Sequence, residues 1–280
     1  MLSNNIVNEN KVINIFNDDL PNWIVGDEWI YEMDAVFFEL VSGGSTVTID
    51  AAMKNLVFKV KSIGVSDYDL DVSGDIQGSF YYDDGADVTI GGELSRTELS
   101  GNVKIEKTTL ALIEANIVIN TRIVLNEYPL PINIPIPIPF TISLDVTHDD
   151  PRPLIDFPLS DGKSGTISEA YISANLKVES IILKIINIFV PEVPAELTFG
   201  LDTYLPGLLY SADLEEITVK AGTFEVYDIG FFEGLFGSIY YAAEVKNIIK
   251  IEVDFELPEE LKIEFFGEMK SEVTIIKSIR

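Results

Sequence analysis

The chain has 280 residues, 46 of them acidic against 19 basic, a formal charge of −27, and 47% hydrophobic side chains. A field of that sign repels phosphate backbones, which sets the protein against nucleic acid as a partner. The apolar content is enough for a sizeable core in one large domain or two smaller ones. Cysteine is absent, so disulfides, thiolate metal sites and cysteine nucleophiles are excluded.

The opening, residues 1–19, is Asn-rich and lacks the basic and apolar regions of a leader peptide. It is expected to be a flexible tail of an exported, mature chain at the cell envelope, with a cytoplasmic protein as the alternative. From residue 20 the pattern changes to strict alternation, the signature of strands with one wet face. Trp29, Tyr31 and Met33 share one parity, Leu56, Phe58 and Val60 another, and Val103 and Ile105 alternate with Lys104 and Glu106. Ile117, Ile119, Ile123 and Leu125 extend the series. Turns are expected at SGG (42–44), SDYD (66–69), YDDGAD (82–87) and the GG pair at 91–92. The stretch 108–116 reads as a short helix, whereas 174–189 fits a helix and a buried strand pair equally well.

Residues 131–139 alternate Pro131, Pro135, Pro137 and Pro139 with Ile132, Ile134, Ile136 and Ile138. In extended backbone, prolines at every second position remove N–H donors from one side only, so the segment is expected to pair on one edge and not the other, with a solvent-exposed polyproline linker and recognition by a partner as the alternatives. Later, Ile249, Ile251, Val253 and Phe255 alternate with charged residues, as do Leu261, Ile263 and Phe265. The expected fold is mainly β, built of large twisted antiparallel sheets of a curved or half-barrel type with few short helices. The expected organisation is a tail (1–19), a first β-rich lobe (20–128), a Pro-rich edge strand and connection (129–156) and a second β-rich lobe (157–280). Proline and glycine placements at 20–34 and 157–171 suggest related lobes. No run of about 18 apolar residues is present, so no transmembrane helix is expected.

Reactive chemistry finds little support. His148 is the single histidine and lies in VTHDDP without a G-x-S-x-G elbow elsewhere. Asp67, Asp69 and Asp71 share a strand face, and Asp83, Asp84 and Asp87 crowd a turn, yet an EF-hand register fails at Val72 and Gly78. No phosphate-cradling glycine loop occurs. No catalytic residue, metal or cofactor is therefore assigned. The strongest binding candidate is FFEGLFGSIYY at 231–241, in which Phe231, Phe232, Leu235, Phe236, Tyr240 and Tyr241 offer apolar area for a lipid-like ligand. Core packing and self-association are the competing uses of the same residues.

Three phrases carry a family resemblance: WIVGDEWIY at 23–31, VKAGTFEVYDI at 219–229 and YYAAEVKNIIKIEVD at 240–254. The first is similar to the opening of many exported prokaryotic, especially archaeal, proteins. The other two resemble consecutive strand pairs of DUF3108-like and LolA/LolB-like lipoprotein-carrier domains, with a departure at Gly165, where those domains carry an aromatic. The resemblance implies an envelope protein with a curved antiparallel sheet, an apolar hollow and no shared catalytic residues. The function expected is non-enzymatic binding of an apolar ligand in that hollow, and the alternative is a structural or self-assembling surface protein.

Overall fold

In the computed structural model, residues 20–127, 136–148, 150–189, 191, 194–231, 237–257 and 261–273 are described. The first section of the fold comprises β1 (Glu28–Ser42), β2 (Ser45–Ile63), β3 (Asp67–Asp83), β4 (Thr89–Glu106), β5 (Leu112–Glu127) and β6 (Ile136–Thr147). It continues through β7 (Lys163–Ile167), β8 (Ala170–Glu179), the single described helix α1 (Ile181–Phe189) and β9 (Glu196–Leu205). The last strands are β10 (Leu208–Val219), β11 (Gly222–Phe231), β12 (Gly237–Ala242), β13 (Asn247–Leu257) and β14 (Leu261–Val273). Among the described residues no helix is long and apolar enough to cross a membrane.

Hydrogen-bonded neighbours run β7-β10-β11-β12-β13-β14-β1-β2-β3-β4-β5-β6-β8-β9, antiparallel wherever a register is given. The protein is thus mainly β, as its alternation requires, and among the described residues the two ends of the order do not pair, so no barrel closes there. Two curved sections meet at β1. In one, β2 to β9 coil until rings from distant strands touch: Phe80 of β3 lies 6.3 Å from Phe140 of β6, and Tyr82 of β3 lies 6.0 Å from Phe199 of β9.

Glycine permits the coiling. A Cβ on Gly101 would press on the backbone of Asn116 and Ile117 in the neighbouring strand. The GG pair at 91–92, expected as a turn, lies inside β4, because a Cβ at Gly92 would collide with the Val124 carbonyl. Gly165 has the ring of its register partner Tyr210 over its Cα, an aromatic from the adjacent strand covering a glycine.

The segment 108–116 is not helical. A turn at 107–109 leads to Leu110, which takes a positive φ of 54°, and β5 begins at Leu112. The ambiguous stretch 174–189 divides in two. Strand β8 pairs with β6 and β9 up to Glu179, then the Ser180 carbonyl accepts the Lys184 N–H at 3.3 Å and α1 follows. The proline rule holds for the described part of its segment. Ile138 is 1% exposed while Pro137 and Pro139 face outward, and residues 136–140 pair with β5 alone. The strand is not an edge throughout, because from Thr141 onward, where the prolines stop, β8 adds to its free side. Residues 131–135 lie outside the described part.

Two hydrophobic cores result. The first gathers Leu40, Val47, Ile76, Phe80, Ile123, Ile138, Phe140, Val178, Leu183 and Phe199. The second gathers Trp23, Trp29, Val60, Tyr68, Leu70, Ile155, Tyr210, Val226, Phe231, Tyr240, Tyr241 and Ile249. Both draw on widely separated parts of the chain. Strands β1, β2 and β3 contribute one end to each core, and register shifts near Met33 and between Met53 and Val57 fall where β1 and β2 pass from one to the other.

Candidate functional site

The WIVGDEW segment builds the most distinctive feature of the second core. Asp27 N–H donates to the Ile24 carbonyl at 3.0 Å across Gly26, whose φ of 95° only glycine adopts readily. The Asp27 carboxylate accepts the Ile24 N–H at 2.8 Å, and the turn is tied to β2 by Gly26 N–H to Val60 O at 2.8 Å and Val60 N–H to Asp27 O at 2.9 Å. This turn folds Trp23 back onto Trp29 and Tyr68, with ring centroids 4.8 Å and 4.7 Å apart. Register then sets Phe58 beside Trp29 and Leu56 beside Tyr31, the Tyr31 and Phe58 rings meeting edge-on at 5.7 Å.

These side chains wall a partly enclosed pocket of about 190 Å³. Strand β1 supplies Trp29, Tyr31 and Met33, β2 supplies Leu56 and Phe58, and β3 and β4 supply Leu70 and Ile105. Leu110 and Leu154 close it from loops, and Asn247, Ile248 and Ile251 of β13 form the facing wall. Ile248 and Ile251 both line it because β13 has a bulge: Tyr240 pairs with Lys250 and Tyr241 with Ile248, which leaves Ile249 unpaired and switches the strand's parity. The alternation read from the sequence, which grouped Ile249 with Ile251, breaks at that bulge.

The polar atoms of the wall are mostly occupied. Trp23 Nε1 donates to the Lys246 carbonyl at 3.0 Å, Tyr31 Oη to the Ile248 carbonyl at 2.7 Å, and nearby Tyr68 Oη to the Pro21 carbonyl at 3.0 Å. Burial pushes the Tyr68 hydroxyl above its ordinary pKa, so it stays a neutral donor. Trp29 Nε1 is buried without a partner among the described residues. Asn247, 5% exposed, accepts the Ile248 N–H through Oδ1 at 2.8 Å, and no hydrogen bond involves its Nδ2 among the described residues.

Of the binding candidates read from the sequence, the described ones, Phe231, Tyr240 and Tyr241, belong to the second core and are not among the pocket's lining residues. Tyr241 is 0% exposed and stacks edge-on against Phe157 at 5.1 Å, while Tyr240 donates to Glu252 at 2.9 Å beneath the Lys250 ammonium. Phe232, Leu235 and Phe236 lie outside the described residues. Trp29 with Tyr31, and Phe58 in its own run, were legible as alternating strand positions and Trp23 stood in the WIVGDEW phrase, but parity alone does not show which faces meet across a void.

The acidic clusters serve their own loops. Asp84 accepts the Ala86 and Val88 amides at 2.9 Å and 3.0 Å, which holds its carboxyl below the usual range, and Asp83 accepts the Gly85 amide at 2.7 Å. Asp71 pairs with Lys61 at 2.9 Å and Asp69 accepts from Ser62 at 3.0 Å. His148 is half-buried, and burial, then Arg152, lower its pKa, so it is neutral at pH 7. A second concavity of about 600 Å³ lies over the bulges of β2, β3 and β4, but its rim carries the exposed charges Lys54, Asp75, Glu93, Arg96 and Glu98. It is a wet groove, whereas the pocket beneath Trp29 is almost wholly apolar.

No protein-family profile, curated protein or solved structure matches the chain. The resemblance at 23–31, 219–229 and 240–254 therefore rests on those residues. In the structure, the second and third of these phrases form the β10–β11 turn with β11 and the β12–β13 hairpin.

Proposed function

We propose that this protein is a non-enzymatic binding protein of the cell envelope that holds an apolar, lipid-like group in the pocket between β1–β4 and β13. The observation that supports this reading is the wall itself. The chain's two tryptophans, placed by a dedicated glycine turn, stand with Tyr31 and Phe58 around a space that the described side chains leave unfilled. An apolar cavity of roughly 150 Å³ stays dry and takes up benzene, and filling such a void recovers about 25 cal/mol for each Å² of apolar surface covered. At about 190 Å³ the pocket suits one ring or one short branched chain segment, smaller than the several-hundred-Å³ hollow of a whole-lipid carrier.

Because both tryptophans lie in the wall, their emission reports on this site alone. Titration with methylcyclohexane is expected to shift that emission saturably. Leu56→Phe, which puts a ring into the space, is expected to weaken binding at least about 10-fold, and Ile105→Phe, at a partly exposed wall position, serves if the first variant misfolds. An unsaturable response, or one that both filled variants leave intact, overturns the reading.

One observation favours a second reading, self-assembly. Helix α1 exposes Ile181, Ile185 and Ile188 at 64%, 44% and 73%, a stripe along one side. That reading requires concentration-dependent oligomers in light scattering that Ile188→Lys dissolves.

A further inference from the structure

The pocket's polar equipment is one-sided. Its wall contains two hydrogen-bond donors without partners among the described residues, the Asn247 amide nitrogen and the buried Trp29 indole N–H. The acceptor half of Asn247 is spoken for by the Ile248 N–H, which also fixes the orientation of the amide. Tyr31 and Trp23 are likewise committed to backbone carbonyls. An unpaired donor in an apolar wall favours an occupant that brings an acceptor, and Asn247 Nδ2, unlike the fully buried Trp29 Nε1, keeps the access that an incoming atom needs. None of the described lining residues is Lys, Arg or His. The chain's charge of −27 sets the surrounding field against anions. An ionised carboxylate would enter an apolar space with no counter-charge, the costliest kind of burial.

Resting on the apolar-pocket reading, we propose that the natural ligand is a neutral hydrocarbon carrying a carbonyl oxygen, a ketone or ester group on a ring or short branched chain, and that this oxygen accepts a hydrogen bond from Asn247 Nδ2. The hydrocarbon body supplies affinity through contact with Trp23, Trp29 and Phe58. The oxygen fixes orientation, since the wall's other unpaired donor, Trp29 Nε1, is buried out of reach. Free fatty acids and phosphate-bearing headgroups are rejected by the same wall. The specificity is thus for a polarised but uncharged end, buried with the rest of the molecule.

The test compares three probes of one shape, methylcyclohexane, cyclohexanone and cyclohexanecarboxylate, on the full chain at pH 7. Tryptophan emission gives the affinities, and the infrared carbonyl band of the bound ketone reports its hydrogen bond. In the wild type the ketone is expected to saturate the site with its carbonyl band shifted to lower frequency, and the carboxylate is expected not to compete. Asn247→Leu is expected to weaken the ketone about 5-fold relative to methylcyclohexane, the size of one neutral hydrogen bond, and to remove the band shift. Asn247→Asp retains the acceptor for the Ile248 amide and, when ionised, lacks the donor, so it is expected to act in the same direction if the leucine variant fails to fold. An unchanged ketone-to-hydrocarbon ratio in both variants overturns the proposal, as does a carboxylate that binds as tightly as the ketone. Failure of methylcyclohexane to bind the wild type sinks the pocket reading instead, which keeps the two failures apart.

Discussion

Around Phe80 the interior is mostly aliphatic, with a few rings in contact, whereas around Trp29 it is rich in aromatic rings and encloses a pocket of about 190 Å³. In the first core Ile123, Leu125, Ile138 and Ile142 are each 2% exposed or less, and side chains of this kind slide into any gap left by coiling strands. In the second, the rings are tethered. Trp23, Tyr31 and Tyr68 each donate to a backbone carbonyl, and a ring held at its polar tip does not collapse into the space beside it. In this protein the void lies where hydrogen bonds hold the surrounding rings against the pull of close packing.

The largest test of that contrast adds volume to both sides. Ile123→Phe in the first core is expected to cost about 1–3 kcal/mol by overpacking, while Leu56→Phe at the pocket is expected to be neutral or stabilising, since its ring has room. Denaturant unfolding of the two variants checks this, and equal losses would mean that the pocket is not open to side chains. A smaller effect is expected from cutting a tether. Tyr31→Phe leaves the Ile248 carbonyl without its donor and should lower stability by about 1 kcal/mol. It should also broaden tryptophan emission, as the freed ring samples the pocket. A change in stability with unaltered emission would show that the bond holds the strand and not the ring.

The smallest effect lies at the edge of the aromatic core, where Asp228 is the register partner of Tyr240. Burial first, then Asp213 and Glu252, raise its carboxyl above the ordinary 3.8, against the pull of Ser238 and Lys250. A raised folded-state value means that ionised Asp228 costs stability. The cost is absent below about pH 4 and grows as pH rises through the folded-state value. Asp228→Asn is therefore expected to raise the midpoint of thermal unfolding at pH 7 by the equivalent of less than about 1 kcal/mol, given partial solvent screening. Its advantage should vanish near pH 3.5. An advantage that persists at acid pH would assign the effect to packing instead of charge.

Much of this was legible in particular residues. Alternation at 29–33, 56–60, 117–125 and 249–255 located strands, and the Pro/Ile alternation fixed which face of 136–140 turns inward. The pairing behaviour of that segment was also correct as far as Thr141, beyond which nothing in its composition announced β8. Glycines misled where they stood inside strands, as at Gly92, because a doublet at a turn and a doublet under a crossing backbone look alike in one dimension. The pocket stayed hidden for a related reason. WIVGDEW displays its turn chemistry openly, but that Trp23 closes on Tyr68 and that Ile248 faces Leu56 depends on register and on the bulge at Ile249.

Sequence alone determined the strand class, the acidic surface and the set of large apolar side chains available for an interior, because each is a property of composition or of a two-residue period. Tertiary structure alone decided that the interior divides into two cores, that one of them is hollow, and that Asn247 stands in its wall with an unused donor. A void is the space that remains after all surrounding elements have been packed. Its position follows from the coil of the sheet and the register of paired strands, and neither is a local property of the chain.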